Sequence, residues 1–294
     1  MRSEQLERIH SGRGFIAALD QSGGSTPKAL KLYGIDEKQY SSESEMFDLV
    51  HQMRTRIITS PSFTSARILA VILFEVTMLR TIEGFGTAEY LWKVKGIPSF
   101  LKVDNGLSEE ENGVQLMKEI PQLQERLQSA LVHGVIGTKM RSVIHSADKS
   151  GISAVLDQQF KLAHEIIGTG LLPIIEPEVD IKSTQKREAE AILLEGLHSK
   201  LSDLPETSKV VLKLTLPEET NLYRELLSDS KVLRIVALSG GYSREEANRK
   251  LAENDGLTAS FSRALTEGLS VEQSDEEFNA ALDASIQSIF LASH

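Results

Sequence analysis

The stretch KVVLKLTLPEE (209–219) sets the fold of this chain. Val210, Val211, Leu212, Leu214 and Leu216 are branched and apolar over a short run, which reads as a β-strand, and Pro217 ends it. Lys213 sits in the middle. Two arrangements accommodate it. On a surface strand Val210, Leu212, Leu214 and Leu216 face a core, while Lys209, Val211, Lys213 and Thr215 face water. In a strand covered on both faces, Lys213 is held partly desolvated, an unusual place for an ammonium. The run by itself leaves both open, and its surroundings have to decide.

Working outward, the same pattern recurs: a short apolar strand, then an amphipathic helix. Strand-like runs are GFIAALD (14–20), ARILAVILFE (66–75), SFLKVDNG (99–106), HGVIGTKMR (133–141), GLLPIIEPE (170–178), KVVLKLTL (209–216), VLRIVALSGG (232–241) and GLTASFSRAL (256–265). The last reads equally as a loop. Among the helix patterns, SSESEMFDLVHQMRTRI puts Phe47, Val50, Met53 or Arg54, and Ile57 on one side. PQLQERLQSAL carries Leu123, Leu127 and Leu131. SREE (243–246) and SDEE (274–277) match the capping box, and the closing helix aligns Phe278, Leu282, Ile286 and Ile289. Eight alternations within 294 residues, without a Pro/Gly/Ser linker, predict an α/β fold: a single (β/α)8 TIM barrel domain over 1–294. A doubly wound sheet usually shows G-x-G-x-x-G after its first strand, and DQSGGST (20–26) lacks that spacing.

Composition narrows the class of function. The chain has no cysteine, hence no disulfide or thiolate metal site, which fits a reducing compartment. A net charge of -10 argues against nucleic acid or an anionic membrane as a bulk partner. No apolar run approaches the ~20 residues needed to span a bilayer, and MRSEQLERIH lacks the apolar centre of a signal peptide. A cytoplasmic protein is expected.

Reactive groups of a barrel gather at the carboxyl ends of its strands. Here the first run ends in Asp20 and the second in Glu75. The third ends in Lys102 and Asp104, the fourth in Lys139 and Arg141, and the fifth in Glu176 and Glu178. The sixth holds Lys213, the seventh ends in Ser239, and the eighth carries Ser262 and Arg263. Residues two apart share a strand face, so Lys139 with Arg141, and Glu176 with Glu178, point the same way. The amino ends show no such set. Lys102, Lys139, Arg141, Lys213 and Arg263 together favour a small, multiply charged anion. LSGG (238–241) before a capped helix is a phosphate-binding arrangement, and SGGS (22–25) is either a second one or a flexible turn. Inside a barrel, Leu212, Leu214 and Leu216 face helices while Val211, Lys213 and Thr215 face inward. Desolvation and cations such as Lys139 would then disfavour the Lys213 ammonium, and a neutral amine attacks carbonyls to form a Schiff base. Glu176, Glu178 and Asp20 are placed to move the protons.

These residues resemble the class I (Schiff-base) fructose-bisphosphate aldolases. The resemblance spans most of the chain: GRGFIAALDQSGGS (12–25), ILFE (72–75), KVDNG (102–106), KMR (139–141), PIIEPE (173–178), Leu212–Lys213, LSGGYSREEA (238–247) and FSRAL (261–265), in the family's order. It implies Lys213 as the Schiff-base lysine and Glu176 as the main acid/base, with Glu178 and Lys139 assisting by charge. Asp20 would orient the Schiff base and help take the proton from the hydroxyl at the scissile bond. Ser239, Gly240, Ser262 and Arg263 would hold one phosphate, and Ser22, Ser25 and Lys102 the other, with Arg141 close by. Glu75 is left to pair with a neighbouring cation.

The sequence departs from the animal pattern at four places. Met140 replaces a common Trp, Ala29 follows Lys28 where an Arg is common, and Ser262 replaces a common Gly. The last residues read FLASH, so any role of a tail with a terminal Tyr is expected to be absent or filled otherwise. A bacterial branch of the family is implied. No cofactor and no metal are expected, because His10, His51, His133, His145, His164, His198 and His294 form no clustered ligand motif. The implied partner is a phosphosugar, fructose 1,6-bisphosphate. Tagatose 1,6-bisphosphate, a transaldolase donor and a non-catalytic aldolase-like adaptor are the rival readings. Monomer and homo-oligomer both stay open.

Overall fold

Each of the eight apolar runs contains a parallel strand in a computed structural model that describes residues 2–294. The barrel strands are β1 (Phe15–Leu19), β2 (Ile68–Leu73), β3 (Ser99–Lys102), β4 (Gly137–Ile144), β5 (Leu172–Val179), β6 (Val210–Thr215), β7 (Val232–Leu238) and β8 (Thr258–Ala259). Consecutive strands are hydrogen-bonded neighbours in that order, and all these pairs are parallel. The ring is joined by Ala18 N–H donating to Phe261 O at 3.1 Å. With helices alternating between the strands, this is a (β/α)8 barrel.

Strand parity decides what each side chain meets. Ile16, Ala18, Ala70, Ile72, Phe100, Ile174, Val211 and Val236 form one buried cluster, the barrel interior. The alternate residues Ala17, Leu19, Val71, Leu73, Leu101, Ile175, Leu212 and Leu214 belong to a second cluster with the surrounding helices. Lys213 is two residues from Val211 and therefore points inward; it is 3% exposed. The surface-strand arrangement is excluded, because β6 is buried on both faces. Parity also makes the interior change character along β1, β3, β4, β5 and β6, apolar at the amino ends and charged at the carboxyl ends, with Asp20, Lys102, Lys139, Glu176 and Lys213 two residues beyond inward apolar or glycine positions.

The helices turn inward the stripes that periodicity marks. The helix Glu43–Thr59 buries Met46, Val50, Met53, Arg54, Ile57 and Ile58, while Phe47 is half-buried and lines the barrel mouth. Both Met53 and Arg54 are thus core residues, because the buried stripe is wide enough for adjacent positions. Asp275–Ala292 buries Phe278, Leu282, Ile286 and Ile289. Its capping box, Ser274 with Glu277, is complete, but Ser243 with Glu246 is only half formed: Glu246 N–H donates to Ser243 Oγ and the glutamate does not return the bond. The fourth strand starts later than its apolar run, because Gly134 (φ 78) closes the preceding helix Leu123–Val132. It continues to Ile144, where Val114–Gln115 pairs with it antiparallel. That pair and the hairpin Thr81–Ile82/Phe85–Gly86 are two-residue strands, too short to show periodicity.

The amino end of the barrel is closed. Ile9 and Leu6 of the helix Arg2–Ser11 pack on the interior cluster, and Arg234 Nε donates to Ile9 O at 2.6 Å. His294 lies at this same end, accepting from Gly14 N–H at 2.9 Å. The carboxyl end is open. No helix among the described residues is long and apolar enough to cross a membrane.

Candidate active site

At the open end of the barrel lies a cavity of about 810 Å³. Asp20, Ser22, Ser25, Lys102, Lys139, Arg141, Glu176, Glu178, Lys213, Ser239, Gly240, Ser262 and Arg263 all line it. Every residue singled out for site chemistry is therefore in one place, whereas Glu75 is outside it, 3.5 Å from Arg126 Nε. The two-apart rule explains why: each of these strands delivers its last inward residue to the same rim.

At the centre is a chain of buried charges. Lys213 Nζ lies 3.0 Å from Glu176 Oε1, and Lys139 Nζ lies 2.9 Å from Glu176 Oε2 and 2.7 Å from Asp20 Oδ2. Asp20, Lys139, Glu176 and Lys213 are all under 8% exposed. Glu176 thus stands between the two lysines and touches both. The close partner of Lys213 is this carboxylate, because Glu176 and Lys213 come from adjacent strands and their side chains converge, and Lys139 stands on its other side. Glu176 Oε2 makes no well-angled hydrogen bond, so one of its lone pairs is left to whatever enters the cavity.

The electrostatics follow from this alternation of sign. Burial works to raise the Asp20 pKa, but Lys139 and then Lys213 and Lys102 outweigh it and hold the carboxyl well below its usual range. Burial disfavours the Lys139 ammonium, and Asp20, Glu176 and Asp104 more than reverse that, keeping it firmly charged. Lys102 is pushed the other way: burial lowers its pKa and Asp104 only partly compensates. Arg141 is paired with Glu178 at 2.8 Å, which outweighs its desolvation and holds it charged.

The backbone opens beside this chain of charges. The β5–β6 ladder has Ile174↔Val211 and Ile175↔Leu212 and goes no further. Beyond it the strands part, which makes room between them for Glu176 and Lys213. Side chains take over the missing ladder bonds. Buried Gln159 donates to Glu176 O at 3.1 Å and accepts from Glu176 N–H at 2.9 Å. The Thr215 hydroxyl accepts from Val179 N–H at 2.8 Å and donates to Val179 O at 2.9 Å. The backbone N–H and C=O of Glu176 and of Val179 are thereby satisfied without closing the gap.

The two phosphate-like loops differ. After β7, Gly240 (φ 59) and Gly241 (φ 125) adopt backbone that side chains disfavour, and a Cβ on Gly241 would lie 3.5 Å from the Arg263 guanidinium. The Arg244–Ala252 helix follows, capped by Ser243. After β1, Ser25 is engaged in its own turn, accepting from Ser22 N–H at 3.0 Å and donating to Ser22 O at 2.8 Å.

Three contributors had no assigned part in the sequence pattern. Asp104 is 5% exposed and binds Lys102 Nζ at 2.6 Å, with Oδ2 buried and unpartnered. It stands two residues beyond Lys102, so the same-face rule could have placed it there. Gln159 lies on the helix Lys149–Gly168 and Gln21 in a loop, and nothing in their local sequence marks them.

Comparison with known proteins agrees with this geometry. The family described as fructose-bisphosphate aldolase class-I matches residues 3–216. A protein named fructose-bisphosphate aldolase class 1 from Synechocystis sp. is 58% identical over 290 residues, covering 99% of this chain and 97% of that protein. One of the same name from Clostridium acetobutylicum is 58% identical over 293 residues, covering 100% and 99%. Among solved structures, the fructose-bisphosphate aldolase from Plasmodium falciparum, in complex with TRAP and a small-molecule inhibitor, superposes with a TM-score of 0.75 at 20% identity, covering 99% of this chain and 93% of that one. That likeness concerns the fold. A full-length match above half identity, on a barrel with a buried lysine–carboxylate chain at its open end, places the chain in the class I fructose-bisphosphate aldolase family.

Proposed function

We propose that the chain catalyses reversible cleavage of fructose 1,6-bisphosphate to dihydroxyacetone phosphate and glyceraldehyde 3-phosphate through a Schiff base on Lys213. The observation that carries this reading is the contact between Lys213 Nζ and Glu176 Oε1, 3.0 Å, at the floor of an open cavity. A carboxylate there can take the amine's proton and release the nucleophile.

The steps follow. Lys213 attacks the keto carbon. Glu176 gives a proton to the carbinolamine hydroxyl, which leaves as water, and the iminium forms. Asp20, kept ionised by Lys139 and Lys213, orients the iminium by charge and takes the proton of the hydroxyl on the far carbon of the scissile bond, which becomes the aldehyde. The carbon–carbon bond breaks toward the iminium, glyceraldehyde 3-phosphate leaves, and the enamine is protonated. Hydrolysis by the reverse of the first steps releases dihydroxyacetone phosphate. Glu178 and Lys139 tune Glu176 by charge. Ser239, Gly240, Ser262 and Arg263 hold one phosphate, supported by backbone N–H groups of the β7 loop. Lys102, Ser22 and Ser25 hold the other, with Arg141 beside them.

Class I aldolases use a lysine Schiff base and need no metal, so activity is expected to survive EDTA. Borohydride with dihydroxyacetone phosphate should label one site, Lys213. Label on another residue, or loss of activity on chelation, would overturn the mechanism. Turnover of fructose 1,6-bisphosphate well above that of tagatose 1,6-bisphosphate is the expected order. The place of action is cytoplasmic glycolysis.

A further inference from the structure

Arg54 is 0% exposed and belongs to none of the site's ion pairs. Its Nη1 donates to Thr77 Oγ1 at 2.6 Å, and Nη2 donates to Gln21 O at 2.6 Å and reaches Gln21 Oε1 at 3.4 Å. Nε is buried with no partner. Among the described residues no carboxylate stands within ion-pair distance of it. Burial pushes the guanidinium down to about 10, with only the charge of Asp20 opposing. A buried cation with so little compensation is costly, and its geometry says what it secures.

Gln21 continues the chain of contacts: its Nε2 donates to Ser262 Oγ at 2.6 Å. Thr77 follows β2, Gln21 follows β1 and Ser262 follows β8, so one arginine ties three strand ends together. The join it spans is the thinnest part of the barrel. β8 has two residues, and a backbone bond across to β1 is Ala18 N–H to Phe261 O. Asp20 immediately precedes Gln21, and Arg263 immediately follows Ser262.

We propose that Arg54 is a positioning residue, which locks Gln21 to Ser262 across the β8–β1 join and so fixes Asp20 and Arg263 relative to each other. The inference rests on the aldol-cleavage reading of the site above. A misplacement on the ångström scale between a proton acceptor and a phosphate clamp costs rate and affinity together, without touching the nucleophile.

The test uses Arg54→Lys, which keeps the charge but not the fork, and Gln21→Leu, whose side chain is half-buried and uncharged. Both are expected to raise KM for fructose 1,6-bisphosphate ~5-fold and to lower kcat per trapped site ~10-fold. Borohydride trapping with saturating dihydroxyacetone phosphate should stay at the wild-type fraction. The double variant should be no worse than the poorer single one, since both break the same lock. A lower trapped fraction or melting temperature with KM and per-site kcat unchanged would mean a merely structural arginine and would overturn the inference. Additive losses would overturn it too. If Arg54→Lys does not fold, the KM and per-site kcat of Gln21→Leu decide alone. Wild-type protein that fails to trap at Lys213 would sink the aldolase reading, and this inference with it.

Discussion

Two buried lysine–glutamate pairs flank strand β6, and they are finished differently. Lys186 and Glu190, on the helix Lys186–Ser202 outside the barrel, are 4% and 0% exposed, much like Lys213 and Glu176 at 3% each. Lys186 Nζ contacts Glu190 Oε1 at 2.6 Å, Leu216 O at 2.8 Å and Glu218 Oε1 at 3.1 Å. Glu190 Oε2 accepts from Glu218 N–H at 2.9 Å. The outer pair therefore uses its donors and acceptors on protein. The inner pair has only side-chain charges as partners and faces a cavity, with Glu176 Oε2 short of a hydrogen bond. Burial and ion pairing are common to both. What separates them is unspent hydrogen-bonding capacity aimed at open space, the feature on which the proposed reactivity of the inner pair rests.

Substitution should separate the pairs most sharply at the lysines. Lys213→Met is expected to cost ~10⁴-fold or more in kcat/KM, with thermal unfolding close to wild type. Lys186→Met should leave cleavage per folded molecule unchanged and lose ~3 kcal/mol in stability, because Glu190 is left buried without its cation. Steady-state kinetics beside denaturant unfolding reads both, and a large kinetic loss from Lys186→Met would erase the distinction. The glutamates give a smaller contrast. Glu176→Gln should lower kcat ~10²–10⁴-fold by removing a proton-transfer group, and Glu190→Gln should leave kcat within ~2-fold while losing a charge-assisted bond.

The finest contrast is in pH, where Asp20 and Glu190 have opposite signs. Burial pushes the Glu190 carboxyl up, and Lys186 offsets this only in part. Its folded pKa is raised, so its contribution to stability is present below the unfolded value of ~4.3 and is lost as pH rises through the folded one. For Asp20 burial is outweighed by Lys139 and Lys213. Its folded pKa is depressed, so its contribution is present above the unfolded ~3.9 and is lost only as pH falls through the folded value. Relative to wild type, Glu190→Gln should thus gain stability as pH rises from about 4, and the deficit of Asp20→Asn should shrink toward acid. Urea midpoints across pH check this; slopes of the same sign would refute the assignment.

Local pattern carried the reading a long way at some residues and not at others. Lys139, Glu176 and Lys213 were legible because a strand has a period of two and a barrel gathers inward strand ends at one rim. Phe47 lies on the predicted side of its helix and packs against the core, but that it also lines the barrel mouth was not legible, because amphipathic stripes give a helix face and not everything that face meets. That Glu176 stands between Lys213 and Lys139 was not legible, because strand order does not say which inward side chains converge. Asp104 was visible as a strand-end acid two residues beyond Lys102, and the same-face rule could have put it in the site, but only the 2.6 Å contact shows that it partners Lys102.

The sequence by itself determined seven of the strands, their alternation with helices and the end of the barrel where charge collects, since these depend on periodicity and residue type within a few turns of chain, whereas the short eighth strand was settled by its pairing with β7. It also carried the family resemblance that names the lysine. Only the tertiary structure decided that Glu176 bridges two lysines, that Gln159 and Thr215 replace the ladder where β5 and β6 part, and that Arg54 and Gln21 bind the β8–β1 join. Those contacts unite residues 17 to 241 positions apart. No local pattern encodes such pairs, because hydrogen-bond satisfaction in a buried site is set by which strands and helices end up side by side.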